Sequence, residues 1–387
     1  LSPKICICLI LRWSVVAECC RTLDTLTNRG WAENAGRSLT QPANWLYSLY
    51  FQDSSVVSVS SAPSDWHRSL AEAIRDPRVL LESLGLSAEL LPGAESAASL
   101  FPLMVPGSYR DRMEPGNPLD PLLRQVLPIV EEHAEVAGFL RDAVGDSDSK
   151  RAPGLLHKYH GRALLVTTGS CAVHCRYCFR RSYPYQEEPR TLNDWEPAFD
   201  VLRQDPSINE IILSGGDPLM LSEVRLSDLL TLCESIPHLS RVRIHSRLPI
   251  VLPNRIDAVL TDRLRSSRLT PIMVVHANHP NEIVEDCADS LRRLVESGIT
   301  TLNQSVLLKG INDSVEALAS LSERLINLGV MPYYLHQLDR VQGAAHFEIS
   351  DERAVEIISA LRKCLPGYAV PQLVRELAGE LHKVPLI

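Results

Sequence analysis

No apolar run among these 387 residues reaches the roughly 18 that a membrane-crossing helix needs, so no membrane association is expected. Basic charge is also short. Lys and Arg number 39 against 47 Asp and Glu, and the net charge of −8 argues against a nucleic-acid surface. Low-complexity sequence is missing too, because the 26 prolines are scattered. Nor do the ten cysteines form the even, dispersed framework of a secreted disulfide scaffold. Four fall in the first twenty residues, and three crowd at Cys171, Cys175 and Cys178. Cys233, Cys287 and Cys364 stand alone in helical-looking stretches and are expected to be buried as small hydrophobes. A reducing, cytoplasmic location is expected.

What the chain does have is the composition of a folded protein. Hydrophobic residues make up 45% and charged residues 22%, and the length suits two or three domains, or one large domain with an appendage. The first Met is Met104, and Arg12 and Trp13 interrupt the only stretch resembling a signal peptide. Residues 1–62 are therefore expected to be a disordered or non-native extension. From 63 to 150 the pattern is helical. Trp66, Leu70, Ala73 and Ile74 share one face, Asp76-Pro77 opens a second helix ending near Gly85, and Asp120-Pro121 repeats that signal before a segment that Pro128 must kink or break.

After Pro153 the pattern changes to short apolar runs at 163–168, 210–215, 242–247, 271–276, 301–308 and 331–339, with helix-like segments between them. Strand and helix alternating at that spacing imply βαβ units and a parallel sheet. Spacing alone leaves an open doubly wound sheet and a partial barrel equally possible. Ser214-Gly215-Gly216-Asp217, His245, Arg247, His276 and Asp339 lie at or just beyond the C-terminal strand ends, where ligands of both architectures bind.

Immediately after the first run comes Cys171-Ala-Val-His-Cys175-Arg-Tyr-Cys178-Phe179. Three thiolates this close suit iron or zinc. Zinc needs a fourth ligand, with His174 the local candidate, but no second Cys pair follows at finger spacing. A four-iron cluster held by three cysteines keeps one iron open. The C-x3-C-x2-C spacing, with an aromatic residue before the last Cys and Phe179 after it, resembles the radical S-adenosylmethionine superfamily. That resemblance implies a [4Fe–4S] cluster on Cys171, Cys175 and Cys178, S-adenosylmethionine on the open iron, and reductive cleavage to a 5′-deoxyadenosyl radical. It also implies a partial (β/α)6 barrel over residues 151–345, preceded by the helical domain 63–150 and followed by a C-terminal helix and lysine-bearing tail over 346–387.

HGRALLVTTGSC, CFRR, SGGDPL, RIHSRLPIVLPNRI, NHPNE, LNQSVLLKGIND, MPYYLHQLD and GAAHF further resemble the lysine 2,3-aminomutase branch. That branch also uses pyridoxal 5′-phosphate, which implies Lys383 as its covalent anchor and Arg162 as its phosphate partner. By itself, Lys383 reads as a solvated charge and Arg162 as a surface arginine at a strand entrance. The resemblance further implies Arg180 for the substrate α-carboxylate, and Asp339 with Glu376 for the lysine ε-ammonium. Glu376 stands where free-lysine enzymes carry Asp. Ser214, Gly215, Gly216 and Asp217 match the stretch that accepts the S-adenosylmethionine amino group, and Gln304 matches a position near the adenosyl moiety. Gly215 and Gly216 could instead be a tight turn, and Gln304 a hydrogen-bonded strand end. His245 and Arg247 are candidates to line the same cavity.

The implied reaction is an isomerisation, moving the amino group of L-lysine from carbon 2 to carbon 3. GLLHKYHGRALLV, CFRR and the few residues after Lys383 look most like the bacterial aminomutases of elongation factor P maturation. Those enzymes supply (R)-β-lysine to a lysyl ligase. An external electron donor is implied as well. A free-lysine aminomutase of metabolism is the second reading. Glutamate 2,3-aminomutase is the third, because Asp339 would repel a γ-carboxylate. A metal-binding module without catalysis would require Lys383, Arg162 and Arg180 to match by accident.

Overall fold

All six apolar runs fold as strands; burial alternates residue by residue along 241–246 and 300–306, whereas Ile211, Ile212, Leu213 and Ser214 are buried consecutively, as in a strand covered on both faces. The computed structural model describes residues 65–387, so the expectation for residues 1–62 lies outside the described residues. Two short strands precede the six: β1 (Lys150–Ala152) and β2 (Leu155–Tyr159). Then come β3 (Arg162–Thr168), β4 (Glu210–Gly215), β5 (Arg241–Ser246), β6 (Thr270–His276), β7 (Thr300–Val306) and β8 (Met331–His336). β9 (Gln372–Arg375) and β10 (Val384–Pro385) complete one ten-stranded sheet in strictly sequential order.

That order decides between the two architectures. A doubly wound sheet reverses its strand order part-way, whereas here β3 to β9 run parallel, each beside its predecessor. The chain winds one way throughout, as in a barrel. β1, β2 and β10 pair antiparallel at the two ends, and the edges do not meet. The fold is therefore an open, partial β/α barrel, the architecture that the resemblance implies. β9 adds a seventh parallel strand to the six expected, too short to show in the apolar pattern.

Helices after β4, β5, β7 and β8 start at Ser222, Asp257, Ser314 and Ser350, whose side chains each accept from the backbone N–H three residues on. One core runs through the barrel and the preceding segment, joining Trp66, Leu80, Tyr109 and Leu123 to Leu165, Ile211, Ile244 and Val275. The division near residue 150 therefore stands as a proposal about architecture, since both sides share this core. A second core packs Ile357, Ile358 and Leu361 of the C-terminal helix (Asp351–Cys364) against Leu335 and Leu373. Cys233 and Cys287 are buried as expected. Cys364, expected to be buried, is exposed as the last residue of its helix.

The helical expectations before residue 150 need two corrections. The first helix stops at Ala71 rather than running to Ile74. Arg75 folds back onto the carbonyls of Leu70, Ala71 and Ala73, and Ile74 instead bridges to Val105. Around Pro128 only two short 3-10 turns form, Leu123–Gln125 and Val130–His133. Proline lacks the N–H and clashes with the preceding turn, so the helix breaks rather than kinks. The Asp76-Pro77 start holds, with Asp76 accepting from Arg78 N at 2.8 Å. Among the described residues no helix is long and apolar enough to cross a membrane.

Candidate active site

The barrel encloses a cavity of about 640 Å³, a size that takes cofactors with a small substrate. Every residue singled out from the sequence lines it: Cys171, Cys175, Cys178, Arg162, Arg180, Ser214, Gly215, Gly216, Asp217, Gln304, Asp339, Glu376 and Lys383. They do not share one end. The cysteine loop follows the C-terminal end of β3, while Arg162 opens the same strand. At about 3.3 Å per residue, β3 separates them by about 20 Å, so the cavity runs along the barrel rather than across its mouth.

At the cysteine end, glycines let two loops cross. Gly215 has φ +118°, and a Cβ there would sit 2.7 Å from Thr168 O; a Cβ on Gly216 would collide with Ser170 O. Gly216 N donates to Thr168 O at 2.7 Å and Asp217 N to Ser170 O at 2.8 Å, which fastens the cysteine loop to the end of β4. Asp217 is buried and accepts from Ser246 Oγ at 2.8 Å, Arg247 N at 2.7 Å and Leu219 N at 3.0 Å. Burial outweighs these bonds and pushes its carboxyl up to about 6.

His174, the local candidate for a fourth zinc ligand, has its Nδ1 2.9 Å from Pro102 O and its ring stacked on Phe101. Among the described residues, no three His, Cys, Asp or Glu side chains already converge as a site for one metal ion. The three thiols share a loop without closing on a point, as suits a cluster that offers each thiolate a different iron. Burial and the neighbouring thiols push Cys171 and Cys178 up, Cys178 to about 11. A bound metal would take the place of those protons.

Further down the barrel the charged groups form a chain of ion pairs. Arg180 Nε meets Asp146 Oδ2 at 2.7 Å, and Arg180 Nη1 donates to Ser214 Oγ at 3.1 Å. Asp146 Oδ1 lies 2.7 Å from Lys158 Nζ, which in turn lies 3.0 Å from Glu376 Oε1. Glu376 Oε2 pairs with Lys383. Burial alone would raise the Glu376 carboxyl, but Lys383 and Lys158 outweigh it and hold the group well below the usual carboxylate range. Asp339 has no such partner. It is buried, its Oδ1 makes no hydrogen bond, and burial with the charge of Glu376 pushes it up to about 7.

Lys158 and Asp146 were not singled out from the sequence. Lys158 lies on β2 beside Leu156, on the same face by strand alternation, and both line the cavity. That alternation in the HKY run was the available signal. Asp146 sits in an irregular segment that offers none. Lys383 is tied down more firmly than its place near the chain's last residue suggests, because β10 pairs with β9 and Leu386 N donates to Leu373 O at 3.1 Å. Gln304 sits on β7 between His276 and Tyr334, and His245 lines the cavity with a buried Nε2 that makes no hydrogen bond. Burial and then Arg243 hold the His245 imidazole well below its ordinary range, so it is neutral.

Comparison with known proteins settles the family. Residues 165–321 match the model of the radical SAM superfamily. The chain is 50% identical over 324 residues to L-lysine 2,3-aminomutase of Escherichia coli K12, covering 83% of this chain and 94% of that protein. It is 45% identical to the Haemophilus influenzae protein of the same name, covering 82% and 94%, and 33% identical to that of Clostridium subterminale, covering 84% and 78%. The chain belongs to the lysine 2,3-aminomutase family of radical S-adenosylmethionine enzymes.

It is thus an isomerase, and the family's cofactors are a [4Fe–4S] cluster, S-adenosylmethionine and pyridoxal 5′-phosphate. The cavity fits them. Its three thiols share one loop, and among the described residues no fourth protein ligand converges with them. Arg243, His245 and Asp339 each carry a buried polar atom without a hydrogen-bond partner, as a wall awaiting polar ligands would. Lys383 and Arg162 both line the cavity, an amine and a guanidinium of the kinds that can hold an aldehyde and a phosphate.

Proposed function

We propose that this protein converts L-lysine to (R)-β-lysine, with pyridoxal 5′-phosphate anchored on Lys383, as the supply step for modification of elongation factor P. The observation that carries the reading is the single cavity holding the three cysteines, Lys383, and the acidic pair Asp339 and Glu376. When bound, the cluster and S-adenosylmethionine supply hydrogen-atom abstraction, and pyridoxal phosphate supplies the π-system through which nitrogen migrates.

The protein's own residues bind and orient. Cys171, Cys175 and Cys178 hold the cluster. Ser214, Gly215, Gly216 and Asp217 would hold the S-adenosylmethionine amino group, and Gln304 would serve its adenosyl moiety. Arg162 holds the phosphate. Lys383 would act as a nucleophile only without its Nζ proton, and Glu376 pairs with that Nζ and orients it in the cavity. Asp146 and Ser214 aim the Arg180 guanidinium, leaving its remaining N–H donors for an α-carboxylate. At the other end of the substrate, Glu376 and Asp339 receive the ε-ammonium. A glutamate γ-carboxylate placed there would meet both acids, which favours lysine.

The link to elongation factor P and its lysyl ligase rests on the resemblance of GLLHKYHGRALLV and CFRR, and a cytoplasmic location follows from that role. The second reading is an aminomutase acting on free lysine for metabolism; Glu376, where such enzymes carry Asp, departs from that pattern by one methylene. An assay coupled to the purified ligase and elongation factor P separates the two. Mass transfer of β-lysine onto elongation factor P supports the proposal, and free β-lysine that the ligase ignores favours the second reading.

A further inference from the structure

Arg247 follows β5, outside the cysteine loop, and its guanidinium is buried behind that loop. Nη1 lies 2.7 Å from Cys175 Sγ and also contacts Tyr177 Oη. Nη2 donates to Gln125 Oε1 at 2.8 Å and Tyr109 Oη at 3.2 Å. These partners come from separate parts of the chain, so the guanidinium is clamped. The nearest carboxylate, Glu282, is 3.5 Å away and already accepts from Gln125 Nε2 at 2.8 Å and from the backbone of Asn278 and His279. A buried arginine needs a counter-charge. Glu282 supplies part of it at a distance, and the sulfur in direct contact is Cys175.

We infer that Arg247 is a positioning residue for cluster redox: its N–H donated to Cys175 Sγ raises the reduction potential of the cluster. The inference rests on the proposed reading that Cys175 ligates the cluster. A hydrogen bond to a ligating thiolate draws electron density from sulfur and stabilises the reduced form. The fixed positive charge acts in the same direction. The step concerned is a one-electron reduction from the 2+ to the 1+ state, with the electron supplied by an external low-potential donor, and no bond is made or broken in it. Tyr109 and Gln125, from the segment before the barrel, thereby reach the cluster through one guanidinium.

The test uses the full chain with its cluster reconstituted, titrated with dithionite and read by electron paramagnetic resonance without substrate. At the poise where the wild-type cluster is half reduced, Arg247→Met is expected to lower the ratio of reduced to oxidised cluster about tenfold, which is about 59 mV for a one-electron couple. An unchanged ratio at equal iron content overturns the inference. Should Arg247→Met fail to fold or load iron, the wild-type protein carries the test. With 15N-arginine incorporated, pulsed resonance of the reduced cluster is expected to show a nitrogen coupling, and its absence overturns the inference. Iron content of Cys175→Ala separately checks the ligand reading, since undiminished iron there refutes that reading whatever Arg247 does.

Discussion

Lys383 and Glu376 face each other inside the cavity as an ion pair, seven residues apart in the chain. The tail and the end of β9 are thereby joined at the position where, in the proposed reaction, one residue anchors the cofactor and the other receives the substrate. In the cofactor-free protein, Lys383 places an ammonium where the ε-ammonium of lysine is proposed to bind.

Glu376→Gln therefore weakens substrate binding more than cofactor binding. The KM for lysine is expected to rise roughly 10- to 100-fold, matching a charge-assisted hydrogen bond of about 1.5–3 kcal/mol. Steady-state kinetics at saturating pyridoxal phosphate checks it, and an unchanged KM places the ammonium elsewhere.

Asp339 gives the reaction a pH limb. Its ionised form attracts an ammonium, and burial with the charge of Glu376 pushes its carboxyl up to about 7. As pH falls through that value the carboxylate gains a proton and the attraction is lost, so kcat/KM for lysine is expected to fall below about pH 7. Asp339→Asn should flatten that limb while lowering the plateau. A limb that persists in Asp339→Asn belongs to another group.

The cofactor assignments separate by variant. Cys175→Ala is expected to abolish deoxyadenosine formation. Lys383→Ala is expected to lose the visible absorbance of bound pyridoxal phosphate while keeping its iron. Full aminomutase activity in Lys383→Ala would show the anchor to be wrong.

Lys158 is expected to matter for stability as well as for the site. It touches both Asp146 and Glu376, and Lys158→Met leaves two buried carboxylates short of a counter-charge. The loss is expected to be about 3 kcal/mol, toward the low end for a broken buried pair because Lys158 keeps some contact with solvent. Urea denaturation of the cofactor-free protein measures it.

Much of this was legible from the residues. The six runs between 163 and 339 carried the barrel strands because short apolar runs separated by helix-like segments show in sequence, and Cys171, Cys175 and Cys178 announced themselves by spacing. β1, β9 and β10 did not, being two to four residues long and formed by pairing rather than by pattern. Sheet order was equally invisible, since a parallel strand records that it needs a crossover but not on which side its neighbour lies. Arg162 read as a surface residue at a strand entrance because a sequence does not show that the cavity passes through the whole barrel. Asp146 and Lys158 were missed for a related reason. Their meaning lies in bridging Arg180 to Glu376, residues 196 apart, and nothing local marks that.

The account stands most directly on one anaerobic assay. The reconstituted enzyme receives dithionite, S-adenosylmethionine and pyridoxal phosphate, with lysine and glutamate offered separately, and products are resolved by mass spectrometry after chiral derivatisation. The expected result is (R)-β-lysine from lysine and no β-product from glutamate. Protein that carries a reducible cluster and bound pyridoxal phosphate, yet yields no β-lysine, would contradict it.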